Sequence, residues 1–319
     1  MKIVFFGTPE FASYILKEIV DHQIEVAGVV TSPDRPAGRG RKLRPSDVKE
    51  FAQKAIPETP LLQPESLKDP DFIEQLKSFN ADVFVVVAFR MLPREVWTIP
   101  PRGSFNLHAS LLPAYRGAAP IQHAILSGEK ITGVTTFLLD EDIDTGRILL
   151  QKEVAITLTE TGGTLHDKLM IEGAKLVIKT LKLIGSTPEG EPMGVPQRDG
   201  RELSYAPKLF KEDRLLHFQS SSAEELHLRV RALNPYPAAY AHQLSPEDQE
   251  MKIYTTRVHP ALPGATPGDM QIIDNGKSIA IQCLEGALEI LELQLPSKRR
   301  MSVYDFLLGN MPTSEVKFE

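Results

Sequence analysis

Three polar residues at every second position form a candidate catalytic group. Asn106, His108 and Ser110 lie in the segment NLHASLLP, which begins at residue 106. If this segment is a strand that runs into a loop, alternate residues face the same side, so Asn106 and His108 project together. Asp144 lies in a separate turn (DTG) and can meet them only through the fold. An amide, a titratable ring and a carboxylate converging on one pocket can catalyse acyl transfer without a covalent nucleophile.

The same residues also suggest a serine hydrolase, with Ser110 as nucleophile. The local sequence argues against that interpretation because no Gly-x-Ser-x-Gly elbow surrounds the serine. Moreover, a serine and a histidine only two residues apart rarely reach the geometry of a catalytic triad. We therefore expect Ser110 to have a different role.

The sequence indicates neither a metal site nor a dinucleotide site. No two histidines lie at metal-ligand spacing and no His-Glu-x-x-His motif occurs, so we expect no metal. The acidic run at 140–144 resembles the start of a calcium loop, but Thr145 and Gln151 stand where glycine and glutamate are needed. The turn GTPE (7–10) lacks the G-x-G-x-x-G fingerprint, and Glu10 would repel a pyrophosphate.

The first part of the chain alternates short apolar runs with helical patterns, which indicates βαβ units and a mostly parallel sheet. The run VFVVVA (83–88) is apolar throughout, as expected of a strand covered on both faces. We predict an α/β, Rossmann-like catalytic domain over residues 1–184. Its predicted strands are 2–6, 25–31, 82–88, 104–107, 133–138 and 148–155, and its predicted helices are 11–21, 47–54, 72–79, 119–126 and 164–184.

The second part of the chain has a different pattern. Turn formers dominate from Gly185 onward, so we predict a linker over residues 185–207. A helix follows, with a capping box at Ser221 and Glu224, and a last helix begins at Ser302 with a carboxylate three residues later. Five short predicted strands lie between these helices and indicate a small OB-like β-barrel over residues 208–319. These strands are 238–244, 251–258, 269–273, 278–283 and 287–293.

Composition restricts the compartment. The single cysteine, Cys283, excludes an intrachain disulfide, fits a reducing environment and lies in an apolar run where we expect it to be buried. No apolar run approaches the ~18 residues that span a bilayer. The first apolar run is also too short for a signal peptide. We expect a cytoplasmic protein without membrane contact, and a monomer by default.

Charge is unevenly distributed. The net charge of −6 argues against a protein that binds nucleic acid over its whole surface, but residues 31–49 carry six basic and two acidic side chains. Glycines and prolines in PAGRG (36–40) should keep this stretch from forming a regular element. Such a loop is either a solvated surface loop or, beside a catalytic pocket, a binding site for a phosphodiester backbone. The candidate RNA contacts are Arg35, Arg39, Arg41, Lys42 and Arg44.

Five motifs together resemble those of the folate-dependent formyltransferases, which use 10-formyltetrahydrofolate as co-substrate. The motifs are GTPEFA (7–12), PDRPAGRG (33–40), NLHASLLP (106–113), YRG (115–117) and GAAPIQ (117–122). Within that family, the resemblance is to the members that formylate methionyl-tRNA. It extends from residue 1 to about residue 300 and is much stronger in the N-terminal half.

The resemblance implies a catalytic role for Asn106, His108 and Asp144. The amine of initiator methionyl-tRNA would attack the formyl carbon, Asn106 and His108 would stabilise or protonate the intermediate, and Asp144 would take up a proton. It also implies that the basic loop contacts the acceptor arm. The positions implied to bind folate are Ala88, Phe89, Met91, Ser110, Leu111, Leu112, Pro113, Leu139 and Asp140. The chain departs from the family where Phe89 and Arg90 replace a Tyr-Gly pair.

Three alternatives remain open at this point: a formyltransferase that acts on an amino-sugar nucleotide, a catalytically silent RNA-binding protein, and a folate-dependent hydrolase. The residues from Lys208 onward have a net charge of −3, and their basic cluster is Lys298-Arg299-Arg300. Binding of tRNA by the C-terminal domain is therefore implied by the resemblance rather than by its charge.

Overall fold

The computed structural model describes residues 1–37, 42–197, 204–245, 248–309 and 316–319. The chain divides into two compact units. The first comprises Met1–Pro120, Ile131–Ala155 and His166–Ala206, and the second comprises Ile121–Lys130, Ile156–Leu165 and Pro207–Glu319. Most of the segment that we predicted as a linker, up to Ala206, thus belongs to the first unit.

Residues 1–206 form eleven strands and six helices in their described part. The strands are β1 (Lys2–Gly7), β2 (Glu25–Val30), β3 (Arg35–Ala37), β4 (Lys42–Arg44), β5 (Leu61–Leu62), β6 (Val83–Val87), β7 (Ser104–His108), β8 (Arg116–Gly117), β9 (Ile131–Leu138), β10 (Ile148–Ala155) and β11 (Tyr205–Ala206). The helices are α1 (Glu10–Asp21), α2 (Asp47–Ala55), α3 (Pro70–Ser78), α4 (Arg94–Trp97), α5 (Pro120–Leu126) and α6 (Gly162–Ser186). The predicted elements are confirmed to within a few residues, whereas the shortest ones were not predicted.

Seven strands form the main sheet of the first unit, in the order β10-β9-β7-β6-β1-β2-β5. Strands β5, β2, β1, β6 and β7 run parallel, and β9 and β10 add an antiparallel edge. The prediction of a mostly parallel sheet is confirmed. The carboxyl ends of the five parallel strands meet at one edge, where ligands of open α/β sheets bind.

The apolar runs form the sheet because both of its faces are covered. Side chains of β1 and β6 are buried almost without exception, and the rings of Phe6 and Phe84 lie with their centroids 5.2 Å apart. Helix α1 buries Phe11, Ile15 and Ile19, which recur at the helical period. The sheet is therefore a rigid base for the segments that leave its edge.

Strands β3 and β4 form an antiparallel pair, with Arg35 opposite Arg44. The expectation that PAGRG excludes regular structure is therefore wrong at Pro36 and Ala37. Proline is compatible with such a strand because its missing N–H can face solvent at an edge. Residues 38–41, including the candidate contacts Arg39 and Arg41, lie outside the described residues.

The second unit contains α7 (Ala223–Leu233), β12 (Ala239–Ser245), β13 (Gln249–His259), β14 (Met270–Ile273), β15 (Ser278–Gln282), β16 (Ala287–Gln294), β17 (Met301–Ser302), α8 (Val303–Gly309) and β18 (Lys317–Phe318). The sheet order is β14-β15-β16-β13-β12-β18, with β17 on β16. Phe318 N donates to Gly268 O at 2.9 Å, and Met270 N donates to Val316 O at 3.2 Å. These bonds join the two ends of the sheet, so the strands close into the predicted small barrel.

The helix caps of this unit follow the predicted chemistry with one shift. Ser222 and Glu225 form the capping box of α7, one residue later than the predicted Ser221 and Glu224. Leu226 and Val230 of this helix are buried in the barrel core, as the sequence predicted. At α8, Ser302 Oγ donates to Asp305 Oδ2 at 2.8 Å, as predicted. Within the described ranges, no helix is long and apolar enough to cross a membrane.

Candidate active site

His108 is the last residue of β7, at the carboxyl edge of the parallel strands. Its side chain is buried, with 6% of the residue surface exposed. Nε2 lies 2.8 Å from the carbonyl oxygen of Tyr115. A carbonyl oxygen only accepts, so Nε2 carries a proton and donates it to that bond. The second ring nitrogen, Nδ1, is thereby left to exchange protons.

Asp144 faces that second nitrogen. Its Oδ2 lies 3.8 Å from His108 Nδ1 and accepts a hydrogen bond from Gly117 N at 3.0 Å. The residue lies in the left-handed region (φ 56°), which aspartate tolerates better than most side chains. The structure thus brings together the ring and the carboxylate that the sequence predicted from two segments.

The turn that carries Asp144 returns tightly from β9 to β10. Leu138 N donates to Arg147 O at 2.9 Å and closes the turn. Gly146 is required here because a Cβ at this position would lie 1.7 Å from Leu138 O. The DTG sequence therefore has a geometric reason: glycine permits the close return that sets the position of Asp144.

Asn106 occupies β7 two residues before His108, on the same face of the strand. Its backbone pairs with Val86 on one side and with Phe137 on the other. The side chain is half-buried and makes no hydrogen bond to another described residue. Its amide is thus available to a ligand, as an oxyanion donor requires.

Ser110 is fully buried, and its hydroxyl donates to Ala114 O at 2.6 Å. Thr135 Oγ1 donates to Ser110 O at 2.7 Å and accepts from Leu112 N at 3.1 Å. Gln151 Nε2 donates to Leu112 O and to Thr135 Oγ1, both at 2.9 Å. Ser110 therefore braces the loop of residues 110–113, and a hydroxyl held this way is not a hydrolase nucleophile.

The positions with a predicted pterin contact lie at the same edge, directly after β6. Ala88 has a positive φ of 45°, and Phe89 packs edge-on against Phe6 with 5.8 Å between ring centroids. Arg90 donates to Glu65 O at 2.9 Å, and burial lowers the pKa of its guanidinium. Met91 is 73% exposed beside an open groove. The arginine that departs from the family pattern is thus anchored on a neighbouring loop.

The opposite predicted wall comprises Leu139 and Asp140. Leu139 is half-buried and packs against the cluster around Phe6, whereas Asp140 is exposed. Thr145 Oγ1 donates to Asp140 Oδ1 at 2.7 Å and stabilises the turn from within.

Among the described residues, no group of three or more His, Cys, Asp or Glu side chains could hold a metal ion.

Gln197 is a site residue that sequence reasoning missed, because it lies in the segment predicted as a linker. Its Nε2 donates to the carbonyl oxygens of Asp144 and Gly146, both at 2.9 Å. Its Oε1 accepts from Arg116 Nε at 3.1 Å and from Arg116 Nη2 at 2.6 Å. No pattern in one sequence marks this glutamine, because its contacts with Arg116 and Asp144 form only when distant segments of the chain pack together.

A polar cluster holds the base of the β3–β4 hairpin. Lys49 Nζ donates to Asp34 Oδ2 at 2.7 Å and to Gln63 Oε1 at 2.8 Å. Gln63 Nε2 in turn donates to Asp34 Oδ1 at 2.8 Å. These bonds to Lys49 and Gln63 lower the pKa of the Asp34 carboxyl below its usual value. Lys49 is thus committed to the base of the hairpin rather than to solvent.

The predicted RNA contacts fall into two groups. Arg35 and Arg44 are exposed on opposite strands of the hairpin, and the structure describes Lys42 in its backbone alone. The hairpin and the candidate catalytic residues follow strands that end at the same sheet edge, and three strand spacings separate β2 from β7. At about 4.8 Å per spacing, the separation along the edge is roughly 14 Å.

Cys283 is buried directly after β15, as predicted. Burial raises the pKa of its thiol to about 12. The group therefore stays protonated at neutral pH, and a protonated thiol is a poor nucleophile.

Comparison with known proteins gives concordant matches over both units. The formyl transferase family model matches residues 1–181, and the model of the formyl transferase C-terminal domain matches residues 208–311. A methionyl-tRNA formyltransferase of Flavobacterium johnsoniae is 44% identical over 319 residues, covering 99% of this chain and 98% of the relative. One from Bacteroides fragilis is 41% identical over 325 residues, covering 100% and 98%.

Solved structures with low sequence identity share the fold. HypX from Aquifex aeolicus in complex with tetrahydrofolic acid matches with a TM-score of 0.63 at 17% identity, over 96% of this chain and 47% of HypX. WlaRD, a sugar 3N-formyl transferase, matches with a TM-score of 0.64 at 19% identity, over 94% of this chain and 99% of WlaRD. At such identities the likeness extends to the fold alone.

Proposed function

This chain belongs to the formyl transferase family, and we propose that it transfers the formyl group of 10-formyltetrahydrofolate to the α-amino group of initiator methionyl-tRNA. The observation that carries the chemistry is the facing pair of His108 Nδ1 and Asp144 Oδ2 at the carboxyl edge of the sheet. The observation that favours this acceptor is the similarity of both units to methionyl-tRNA formyltransferases over nearly their whole length.

The reaction starts with direct attack of the amine. The amine nitrogen forms a bond to the formyl carbon, and the carbonyl oxygen becomes an oxyanion. Asn106 donates a hydrogen bond to this oxygen from its uncommitted amide. Such a donor is effective because it points at charge that develops in the transition state.

The proton lost by the amine passes to the His108–Asp144 pair. Their separation of 3.8 Å exceeds a direct hydrogen bond, and the attacking nitrogen or a water can contact both groups at once. With Nε2 held by Tyr115 O, Nδ1 of His108 is the atom that exchanges protons. The bond from the formyl carbon to N10 then breaks as N10 receives a proton, and tetrahydrofolate leaves.

The folate lies between two walls in this proposal. Ala88, Phe89 and Met91 form one wall, and Leu139 and Asp140 form the other. The loop of residues 110–113 completes the site with backbone groups that its internal hydrogen bonds hold in place. These assignments need no resident metal ion, since side chains and backbone groups supply every donor and acceptor.

The hairpin supplies the contacts to the tRNA backbone in this proposal. Arg35, Arg39, Arg41, Lys42 and Arg44 are its basic residues. Their charge matters because the chain as a whole has a net charge of −6. We further propose that the C-terminal domain, residues 208–319, binds tRNA, and that the enzyme works as a cytoplasmic monomer during initiation of translation.

The test offers the purified protein 10-formyltetrahydrofolate with methionyl initiator tRNA and, in parallel, with a 4-amino-sugar nucleotide. We expect formylated tRNA alone, with turnover unchanged after dialysis against EDTA. Formylated sugar alone would overturn the acceptor, and formate release without an acceptor would indicate a hydrolase. Tight tRNA binding without any product would indicate a silent RNA-binding protein.

A further inference from the structure

We propose that Gln197 is a positioning residue for formyl transfer, which it supports by holding the turn of Asp144 and the segment of residues 115–117 together. This inference rests on the proposed function and deepens it. Gln197 reaches the site from the segment between α6 and β11, far in sequence from the other site residues.

The hydrogen bonds of the Gln197 side chain satisfy both ends of its amide. The two N–H groups donate to Asp144 O and Gly146 O, and the oxygen accepts twice from Arg116. The reverse orientation would point the amide oxygen at two carbonyl oxygens and its N–H groups at a guanidinium, so one orientation alone fits. An amide is therefore the side-chain chemistry that this position requires.

The two segments joined by Gln197 hold the two groups that exchange protons. Tyr115 supplies the carbonyl that fixes His108 Nε2, and Gly117 supplies the N–H that fixes Asp144 Oδ2. Gln197 binds Arg116, which lies between them. On its other side it binds the backbone of Asp144 itself. One amide thus couples the position of the ring to that of the carboxylate.

The consequence is a constraint on the Nδ1–Oδ2 separation. Asp144 lies in a left-handed conformation, and the bond to its carbonyl oxygen fixes the peptide that follows it. Without Gln197 the turn can relax, and the carboxylate moves relative to the ring. A misplacement of about 1 Å at a reacting group can lower a rate by about 100-fold.

Two variants and a control separate the contact of Gln197 with Arg116 from its contact with the turn of Asp144. Gln197→Met keeps the volume and removes every hydrogen bond. Gln197→Glu can still accept from Arg116 but points a carboxylate oxygen at Asp144 O and Gly146 O. Val195→Ala is the matched control, because this side chain is 61% exposed and the backbone of Val195 alone pairs with Ile148.

We expect kcat to fall by about 10- to 100-fold in both Gln197 variants, with KM for each substrate changed less than about threefold. Because Gln197→Glu keeps the Arg116 contact, an equal loss there assigns the effect to the turn of Asp144. The double variant Gln197→Met with Asp144→Asn should be no more than about twofold slower than Asp144→Asn alone, since both changes act through one carboxylate. Val195→Ala should match the wild type.

Hydrogen exchange at Gly117 N gives a readout that does not depend on activity. This amide donates to Asp144 Oδ2, so it should exchange at least about tenfold faster in Gln197→Met than in the wild type. The proposal would be overturned if exchange at Gly117 N or kcat is unchanged in Gln197→Met. It would also be overturned if the kcat of the double variant falls by the product of the two single losses. If the wild type itself forms no formylated tRNA, the proposed function fails, and exchange at Gly117 still decides the role of Gln197.

Discussion

At the scale of single residues, the two nitrogens of His108 have different tasks. Nε2 is fixed by Tyr115 O, and Nδ1 faces a carboxylate at 3.8 Å. The ring is thereby held in one orientation before substrate binds. Asn106 differs from His108 and Asp144 because its side-chain amide has no hydrogen-bond partner among the described residues. A ligand that enters the site can therefore accept a hydrogen bond from this amide.

Replacing Asn106 tests that use directly. Asn106→Ala should lower kcat by two to three orders of magnitude, about 3 kcal/mol, because one oxyanion donor is lost. Single-turnover kinetics with saturating substrates would measure the effect on the chemical step.

Asn106→Asp keeps the shape but places a carboxylate beside the developing oxyanion, so it should be at least as slow. If Asn106 only fills space, Asn106→Asp will retain near wild-type turnover while Asn106→Ala loses it. That outcome would remove Asn106 from the catalytic group.

Sequence reasoning found the residues whose partners are close in the chain. Asn106 and His108 share a strand, so the two-residue period alone places them on one face. Asp144 was singled out in a separate DTG turn that could meet His108 only through the fold, and the structure shows why this turn needs the glycine at 146. Gln197 was missed because it reads as part of a loop rich in turn formers. Its role exists only after the segment packs on Arg116 and Asp144.

At the scale of elements, the β3–β4 hairpin combines exposed charge with a fixed base. Arg35 and Arg44 lie on opposite strands, and Lys49, Asp34 and Gln63 bind one another below them. The sequence predicted the charge but not the strands, because composition does not reveal an antiparallel pair of three residues each. It also counted Lys49 among the basic residues of the loop, whereas the structure assigns it to the base.

The difference between Arg44 and Lys49 gives a prediction about salt. Arg44→Ala should raise KM for tRNA and reduce the slope of log KM against log salt by about 1, since one phosphate contact is lost. Lys49→Met removes the same charge from a side chain whose ammonium donates to Asp34 and Gln63, so we expect no phosphate contact to be lost. It should raise KM by on the order of tenfold at every salt concentration, because the base loosens, and leave the slope unchanged.

The measurement is KM for methionyl-tRNA over a range of potassium chloride concentrations. Lys182→Met is the matched control for loss of one lysine charge, because this exposed residue of α6 belongs to no proposed RNA contact. It lies two residues before Ile184, whose carbonyl accepts from Arg102 close to the start of β7, away from the carboxyl edge. Equal changes in slope for Arg44→Ala and Lys49→Met would contradict the division of the hairpin into a charged surface and a fixed base.

At the scale of the whole molecule, periodicity predicted the class of each half because burial imposes it. Strands covered on both faces read as apolar runs, and barrel strands read as short runs between turn formers. The boundary between the two units is harder to predict from the sequence. Residues up to Ala206 belong to the first unit because β11 pairs with β8 and Val195 pairs with Ile148. Both pairings join segments that are distant in the chain, so they cannot be seen in the sequence. The composition of residues 185–207, which is rich in turn formers, indicates only a linker.

The pH dependence of stability is likewise a property of many groups summed, and two histidines of the second unit act with opposite sign. Hydrogen bonds to Asp248 and Glu319 raise the pKa of His242 above 6.5. Burial, reinforced by Arg231, lowers the pKa of His227 below 6.5. His242 therefore stabilises the folded state below pH 6.5 and loses that contribution as pH rises through its folded pKa. His227 destabilises the folded state as pH falls through 6.5, because the unfolded chain then binds the additional proton.

Glutamine variants, which cannot ionise at these positions, separate the two effects. Relative to His242→Gln, the wild type should gain stability as pH falls from 8 to 6, by less than about 1 kcal/mol because the site is partly exposed. Relative to His227→Gln, it should lose stability over the same range. Urea unfolding at half-unit pH steps measures both differences, and Asp248→Asn should weaken the first alone. Because the two contributions oppose each other, the free energy of unfolding of the wild type should vary less with pH than that of either glutamine variant. If the profiles of His242→Gln and His227→Gln run parallel, this assignment is contradicted.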